Sequence, residues 1–351
     1  METLRLFVDA HDLTSAVSRD SLKRAAEILR SGGTVALPTE TVYGLGANAL
    51  NASAIEKIFE AKERPSWDPL IVHISDTEML QRVTASLPAS AEKLIDAFWP
   101  GPLTLLLPKN DAVPDAVTAG RPRVGVRMPQ HPVAHALIRE AGVPIAAPSA
   151  NRFGRTSPTS AQHVAEDLDG RIDAILDSGE TTHGLESTVI DACEEPCVVY
   201  RPGVISLEQI RAAGVEAVMF RESAAMQTKA PASLPSPGVG LRHYAPRAKL
   251  ILVDGNGEAQ IARFRELAQH GQQNGMVVGL MLADVFERDL NTSQAIVFRW
   301  GKWTDPEELA QRLFAGLRYL DGAGANVIVC PLPVAEGIGV AIRDRLLKAA
   351  R

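Results

Sequence analysis

The chain has 351 residues, 46% of them hydrophobic, more than one ordinary core organises, so two domains are expected. A net charge of −6 excludes a broad nucleic-acid-coating surface but allows a local basic pocket for an anionic small molecule. Three cysteines exclude a disulfide framework; no apolar run is long enough to span a bilayer, and METLRLFVDAHDL lacks a secretory pattern, so a cytoplasmic protein away from membranes is expected.

In chain order, strand-like runs at 33–37, 69–74, 103–107, 124–128, 144–147, 173–177, 187–191 and 197–201 alternate with helical patterns. The helices are expected at 21–30, 52–62, 89–97, 132–141, 160–168 and 206–213, the fifth opened by Thr159 with Gln162 in capping-box spacing. This alternation describes an α/β sheet domain over 1–215. Residues 216–248 are rich in Pro, Ala, Ser and Gly without sustained periodicity and read as a linker. From 249 to 351, LILV, GMVVGLML, AIVFRW and NVIVC alternate with helices near 257–272, 305–320 and 336–350, a smaller doubly wound unit.

No Walker loop, HExxH or GxSxG is present, and GIGVAI near Gly337 has isoleucine where a dinucleotide turn needs its third small residue. A phosphate site must therefore come from basic side chains beside hydroxyl-rich loops. Four strand-end loops supply them. GGTVALPTETVYGLG runs from a buried strand into Thr39, Glu40, Thr41 and Tyr43, with Gly44 and Gly46 serving turn geometry on the plainer reading. In AKERPSWDPLIVHI, Pro65 forces Arg64 into an extended conformation, so Lys62 and Arg64 leave a helix end together, either as a cation pair for a ligand or as partners of the helix dipole. His73 there reads as a core histidine. PRVGVRMP carries Arg123 before a strand and Arg127 at its end, where an arginine can grip a carboxylate with two prongs or simply be solvated. AAPSANRFGRTSPTS offers Ser149, Asn151, Arg152, Arg155 and Ser157; GLESTVID and VVYRPG add Glu186, Ser187, Thr188 and Arg201. No cysteine, metal cluster or Ser/His/Asp set competes with this convergence.

PTETVYGLG, KERPSWDPLIVHI, FWPGPLTLLL, VGVRMP, APSANRFGRTSPT, ESTVID and YRPG, in this order, resemble the YrdC-like threonylcarbamoyl-AMP synthases. PSPGVGLRHYAP and GIGVAIRDRLLKAA resemble the long two-domain form, so the likeness covers nearly the whole chain. The resemblance implies a YrdC-like twisted mixed sheet and a Rossmann-like C-terminal domain. It also implies an enzyme, a nucleotidyltransferase, that joins L-threonine, bicarbonate or CO2, and ATP into threonylcarbamoyl-AMP and pyrophosphate. A separate tRNA threonylcarbamoyltransferase would use that product beside the anticodon, and direct tRNA binding would be weak or absent.

By the same resemblance, Lys62, Arg64, Ser149 and Asn151 would contact ATP and carry catalysis, with Asp68, Arg123, Ser157, Arg201 and Val239 as further nucleotide contacts. Threonine would lie against Thr41, His73, Arg127, the backbone near Ala147, and Ser187, while His243 and Tyr244 would form a lid. Mg2+ would arrive on ATP phosphates, with Asp68 as its candidate protein ligand. Asp68 and Asp344 stand where the family more often has asparagine, and Val239 where it has methionine. Two other classes fit the sequence less well: an RNA-binding translation or ribosome-assembly factor, which needs a basic face, and a hydrogenase-maturation carbamoyltransferase, which needs cysteine-rich zinc motifs.

Overall fold

Residues 2–220, 236, 243–273, 275–288 and 290–351 are described by the structure, a computed structural model. They divide into a first unit of Met1–Phe153, Ser157–Thr182 and Glu186–Gly240, and a second of Gly154–Thr156, His183–Leu185 and Leu241–Arg351. Val239 and most of the expected linker lie outside the described residues.

The first unit contains β1 (Leu4–Phe7), β2 (Val35–Leu37), β3 (Gly44–Asn48), β4 (Ile71–His73), β5 (Leu103–Pro108), β6 (Arg123–Arg127), β7 (Ile145–Ala146), β8 (Ala174–Asp177), β9 (Thr188–Asp191), β10 (Cys197–Arg201) and β11 (Ala217–Met219). They form one mixed sheet in the order β1-β8-β2-β3-β7-β4-β6-β5-β9-β10-β11. The mixture follows from the connections: β4 runs parallel to β6, and β5 antiparallel to it.

Three of these strands, β1, β3 and β11, depart from the sequence expectation. Most instructive is β3. Val35, Ala36 and Leu37 pair antiparallel with Gly46, Leu45 and Gly44, so the expected strand-to-loop exit is a hairpin, and Gly44 and Gly46 are strand residues. A Cβ on Gly46 would come within 2.8 Å of both Ile145 and Leu37, so glycine here serves close strand packing. β11 carries the first unit's sheet to Met219, past the expected domain end at 215.

Helices 52–62, 89–98, 132–141, 161–168 and 207–212 match the expected pattern, helix 16–30 begins five residues before the expected start at 21, and short helices at 77–83 and 115–118 are additional. Helix 16–30 shows why the pattern is legible: Leu22, Ala25, Ala26 and Leu29 are buried at helical spacing, and Ser15 accepts from Ser18 N at its start. Helix 161–168 is capped by Ser160, not Thr159, because Ser160 Oγ reaches His163 N while Thr159 Oγ1 bonds the His163 ring. Asn51 caps helix 52–62, its side chain accepting from Ala54 N. That helix ends at Glu63 in the left-handed conformation, φ 55°. The reversal turns Glu63 outward to Arg152 (2.5 Å) and Arg171 (2.9 Å), while Lys62 and Arg64 turn inward.

The second unit holds β12 (Lys249–Val253), β13 (Val278–Ala283), β14 (Ala295–Gly301) and β15 (Val327–Pro331), all parallel, in the order β12-β15-β13-β14. Helices 257–273, 306–322 and 339–349 accompany them, which makes the unit doubly wound. Among the described residues no helix is long and apolar enough to cross a membrane.

Candidate active site

The hairpin loop between β2 and β3 is built by its own hydroxyls. Thr39 Oγ1 donates to Val42 O at 2.6 Å and accepts from Thr41 N and Val42 N. Since its single hydrogen is used there, the 2.8 Å Thr39–Thr41 contact is a bond donated by Thr41. Thr41 Oγ1 in turn accepts from Arg127 Nη1 at 2.8 Å. Thr41 therefore keeps one lone pair for a ligand and has no hydrogen to offer it.

Arg127 closes β6, and its guanidinium is 3% exposed. Nε donates to Gly101 O at 3.1 Å, and Nη2 lies 2.5 Å from Glu40 Oε1. That oxygen also accepts from Gln130 N, while Glu40 Oε2 is buried with no hydrogen-bond partner. Burial alone would raise the Glu40 carboxyl, but the Arg127 charge and these hydrogen bonds outweigh it and hold it below its ordinary value. Glu40 was legible as a loop residue, yet its pairing was not, because Arg127 is 87 positions away and only the sheet brings them together.

Cross-strand neighbours extend this cluster. His73 ends β4 in register with Arg127, and Ala147 donates its N–H to Ile71 O. Ser187 precedes β9, bonded to Thr104 Oγ1 at 2.8 Å, and Arg201 Nε and Nη2 donate to Ser187 O at 3.1 and 3.0 Å. His73 is pushed down to about 3 by burial and then by the Arg127 charge, so it is neutral at pH 7. Between its ordinary 6.5 and about 3 the unfolded chain binds a proton that the native state does not. The stability contribution is full above 6.5 and declines as pH falls, by up to about 1.4 kcal/mol per pH unit. A His73→Gln protein is expected to show a flatter slope in denaturant titrations between pH 6.5 and 5, above the range where Glu40 contributes. An unchanged slope would contradict a neutral, buried His73.

The second cluster forms where helix 52–62 ends. Lys62, 1% exposed, donates to Ser149 O and Asn151 O. Arg64 wraps the following turn, with Nε to Asp68 O, Nη2 to Pro69 O, and Nη2 to Asp68 Oδ1 at 2.9 Å. The guanidinium also lies 5.9 Å from the Phe153 ring. Asp68 is fully buried in this pair, so a metal-binding role would require its carboxylate to serve Arg64 and the metal together. Ser157 Oγ donates to Glu186 Oε1 at 2.5 Å. The two clusters are joined by backbone: Leu45 N to Pro148 O, and Ala150 N to Tyr43 O.

Arg123 opens β6, roughly 13 Å along the strand from Arg127, and lies 3.7 Å from Asp191. His243 and Tyr244 belong to the second unit, where Tyr244, 4% exposed, stacks on Phe314 at 5.6 Å and under Arg345 at 5.2 Å. Asp344, held below its ordinary value against burial by Arg345 and Lys348, anchors that arginine at 2.6 Å.

Known proteins resemble this chain over nearly its whole length. A Sua5/YciO/YrdC family profile described as telomere recombination matches residues 27–203, and one described as threonylcarbamoyl-AMP synthase, C-terminal domain, matches 205–351. A threonylcarbamoyl-AMP synthase of Bacillus subtilis is 45% identical over 100% of this chain and 98% of its own length. One of Pyrococcus abyssi is 44% identical over 94% of each. The crystal structure of P. abyssi Sua5 complexed with L-threonine superposes with a TM-score of 0.90 at 42% identity, over 99% of this chain and 98% of that one.

Proposed function

Since the chain belongs to the threonylcarbamoyl-AMP synthase family in its two-domain form, we propose that the Arg127 pocket takes L-threonine and the Lys62–Arg64 cluster takes ATP. Threonylcarbamoyl-AMP synthesis is its activity. The observation that carries the division of the site is the backbone junction between the hairpin loop and the Ser149–Asn151 loop, which makes a carboxylate pocket and a phosphate pocket neighbours.

Threonine's carboxylate lies on Arg127 and Ser187, its hydroxyl donates to the remaining lone pair of Thr41 beside neutral His73, and its amine faces the backbone at Ala147. Once the ammonium has given up a proton, the amine nitrogen bonds to the carbon of CO2 and releases a second proton, or to the carbon of bicarbonate with loss of water and no further proton, to give a carbamate. A carbamate oxygen then attacks the α-phosphorus of ATP as the bond to pyrophosphate breaks, a nucleotidyl transfer needing no covalent enzyme intermediate. Lys62, Arg64, Ser149 and Asn151 hold the phosphates and oppose the charge developing on them, with Ser157, Arg201, Arg123, Asp68 and Val239 as further nucleotide contacts.

Among the described residues no three His, Cys, Asp or Glu side chains are placed to hold a metal, and we assign the cation to the ATP phosphates. When bound there, Mg2+ supplies charge neutralisation of the triphosphate. An Asp68→Ala protein is expected to keep the wild-type magnesium dependence while its KM for ATP rises, because Arg64 loses its anchor. A raised magnesium requirement at unchanged KM would instead make Asp68 a metal ligand.

The activity is placed in the cytoplasm, with the product passed to a separate tRNA threonylcarbamoyltransferase and little direct tRNA binding, in line with the net charge of −6. His243 and Tyr244 act as a lid element, and Tyr244 is packed between Phe314 and Arg345. The test is a reaction with 13C-bicarbonate followed by NMR. A carbonyl 13C signal split by 31P identifies the carbamoyl–phosphate linkage; label incorporated without that coupling contradicts carbamate attack on phosphorus.

A further inference from the structure

We propose that Glu40 is a specificity-determining residue: as the fixed counter-charge of Arg127, it makes the amino-acid pocket select a zwitterion over a plain carboxylate. The inference rests on the reading of Arg127 as the partner of threonine's carboxylate. Glu40 and Arg127 are in contact at 2.5 Å with side chains 6% and 3% exposed, so neither charge is screened by bulk water. His73 is neutral, and His131, close enough to feel Glu40, is also lowered, chiefly by burial. The Glu40–Arg127 pair therefore carries no net charge before any ligand enters, and the Arg201 guanidinium beyond it is held on Ser187.

A ligand with only a carboxylate would place a second anion on a guanidinium that already has one, and would bring no cation of its own to balance it. An amino acid brings its own ammonium and leaves the sum at zero. Glu40 has one oxygen suited to that ammonium: Oε1 is taken by Arg127 and Gln130 N, whereas Oε2 is buried and without a hydrogen-bond partner. The pocket thus rejects a deaminated analogue by charge as well as by a missing hydrogen bond.

The experiment is isothermal titration of the full chain, wild type and Glu40→Gln, with L-threonine and with (R)-3-hydroxybutyrate, which keeps the hydroxyl, methyl and carboxylate but lacks the amine. The amide matches the carboxylate in shape and removes only its charge. The wild type is expected to prefer threonine by about 100-fold or more, and Glu40→Gln to compress that preference at least about tenfold, weakening threonine while strengthening the hydroxy acid. The ratio is the readout because a merely displaced Arg127 would weaken both ligands alike. An unchanged ratio in Glu40→Gln overturns the proposal. So does wild-type protein that binds the hydroxy acid as tightly as threonine, whatever the variant does. An Arg127→Lys control separates the two levels: threonine binding indifferent to it overturns the pocket assignment itself, and the Glu40 proposal with it.

Discussion

Arg127→Ala is expected to lose threonine-dependent pyrophosphate release and about 3–5 kcal/mol of stability. Both effects follow from one contact. The guanidinium is buried against Glu40, and truncating it leaves that carboxylate in a dry site without its counter-charge. Thr41 and Gly101 O lose their donor at the same time. The two effects separate in a double variant. Arg127→Met with Glu40→Gln removes both charges at little change of volume, so denaturant unfolding should recover most of the stability while threonine turnover stays lost. Arg127→Ala with wild-type KM for threonine would remove the carboxylate assignment.

Lys62→Met is the second large effect, an expected fall of about 100- to 1000-fold in turnover, with a rise in KM for ATP and a modest stability loss of about 1–3 kcal/mol. The ammonium is 1% exposed and held by two carbonyls of the Ser149–Asn151 loop, so its charge is fixed before substrate arrives. Methionine fills the same volume without the charge. The loop then keeps its packing but loses the donor that ties Ser149 O and Asn151 O to the helix end. Steady-state pyrophosphate release at varied ATP reads both constants, and wild-type turnover in this variant would show that Lys62 is structural only.

The parts of the fold that were legible in the sequence are those whose burial is local. Leu22, Ala25, Ala26 and Leu29 announce their helix by spacing alone, and LTLLL or VIVC announce buried strands by apolar runs. GLGAN announces nothing, because a strand of glycine and alanine has no pattern of its own and exists through pairing with Val35–Leu37. The edge strand LRLF failed for a related reason: four residues with one buried position carry too little signal. At the candidate site, the motifs named Thr41, Lys62, Arg64, Arg127, Ser149 and Asn151, which stand in loops or at the ends of a helix and a strand. What they could not express was partnership. That Arg64 grips Asp68, that Glu40 completes Arg127, and that Glu63 turns outward in a left-handed cap between two inward cations are consequences of tertiary geometry.

The central claim is that one site joins threonine, a one-carbon acid and ATP. It is tested most directly by pyrophosphate release from the full chain with L-threonine, bicarbonate or magnesium omitted in turn, and the product identified by mass. Release is expected to require all three, with a product that has the mass of threonylcarbamoyl-adenylate. Release that proceeds equally without threonine, or a product lacking the carbamoyl group, would contradict it.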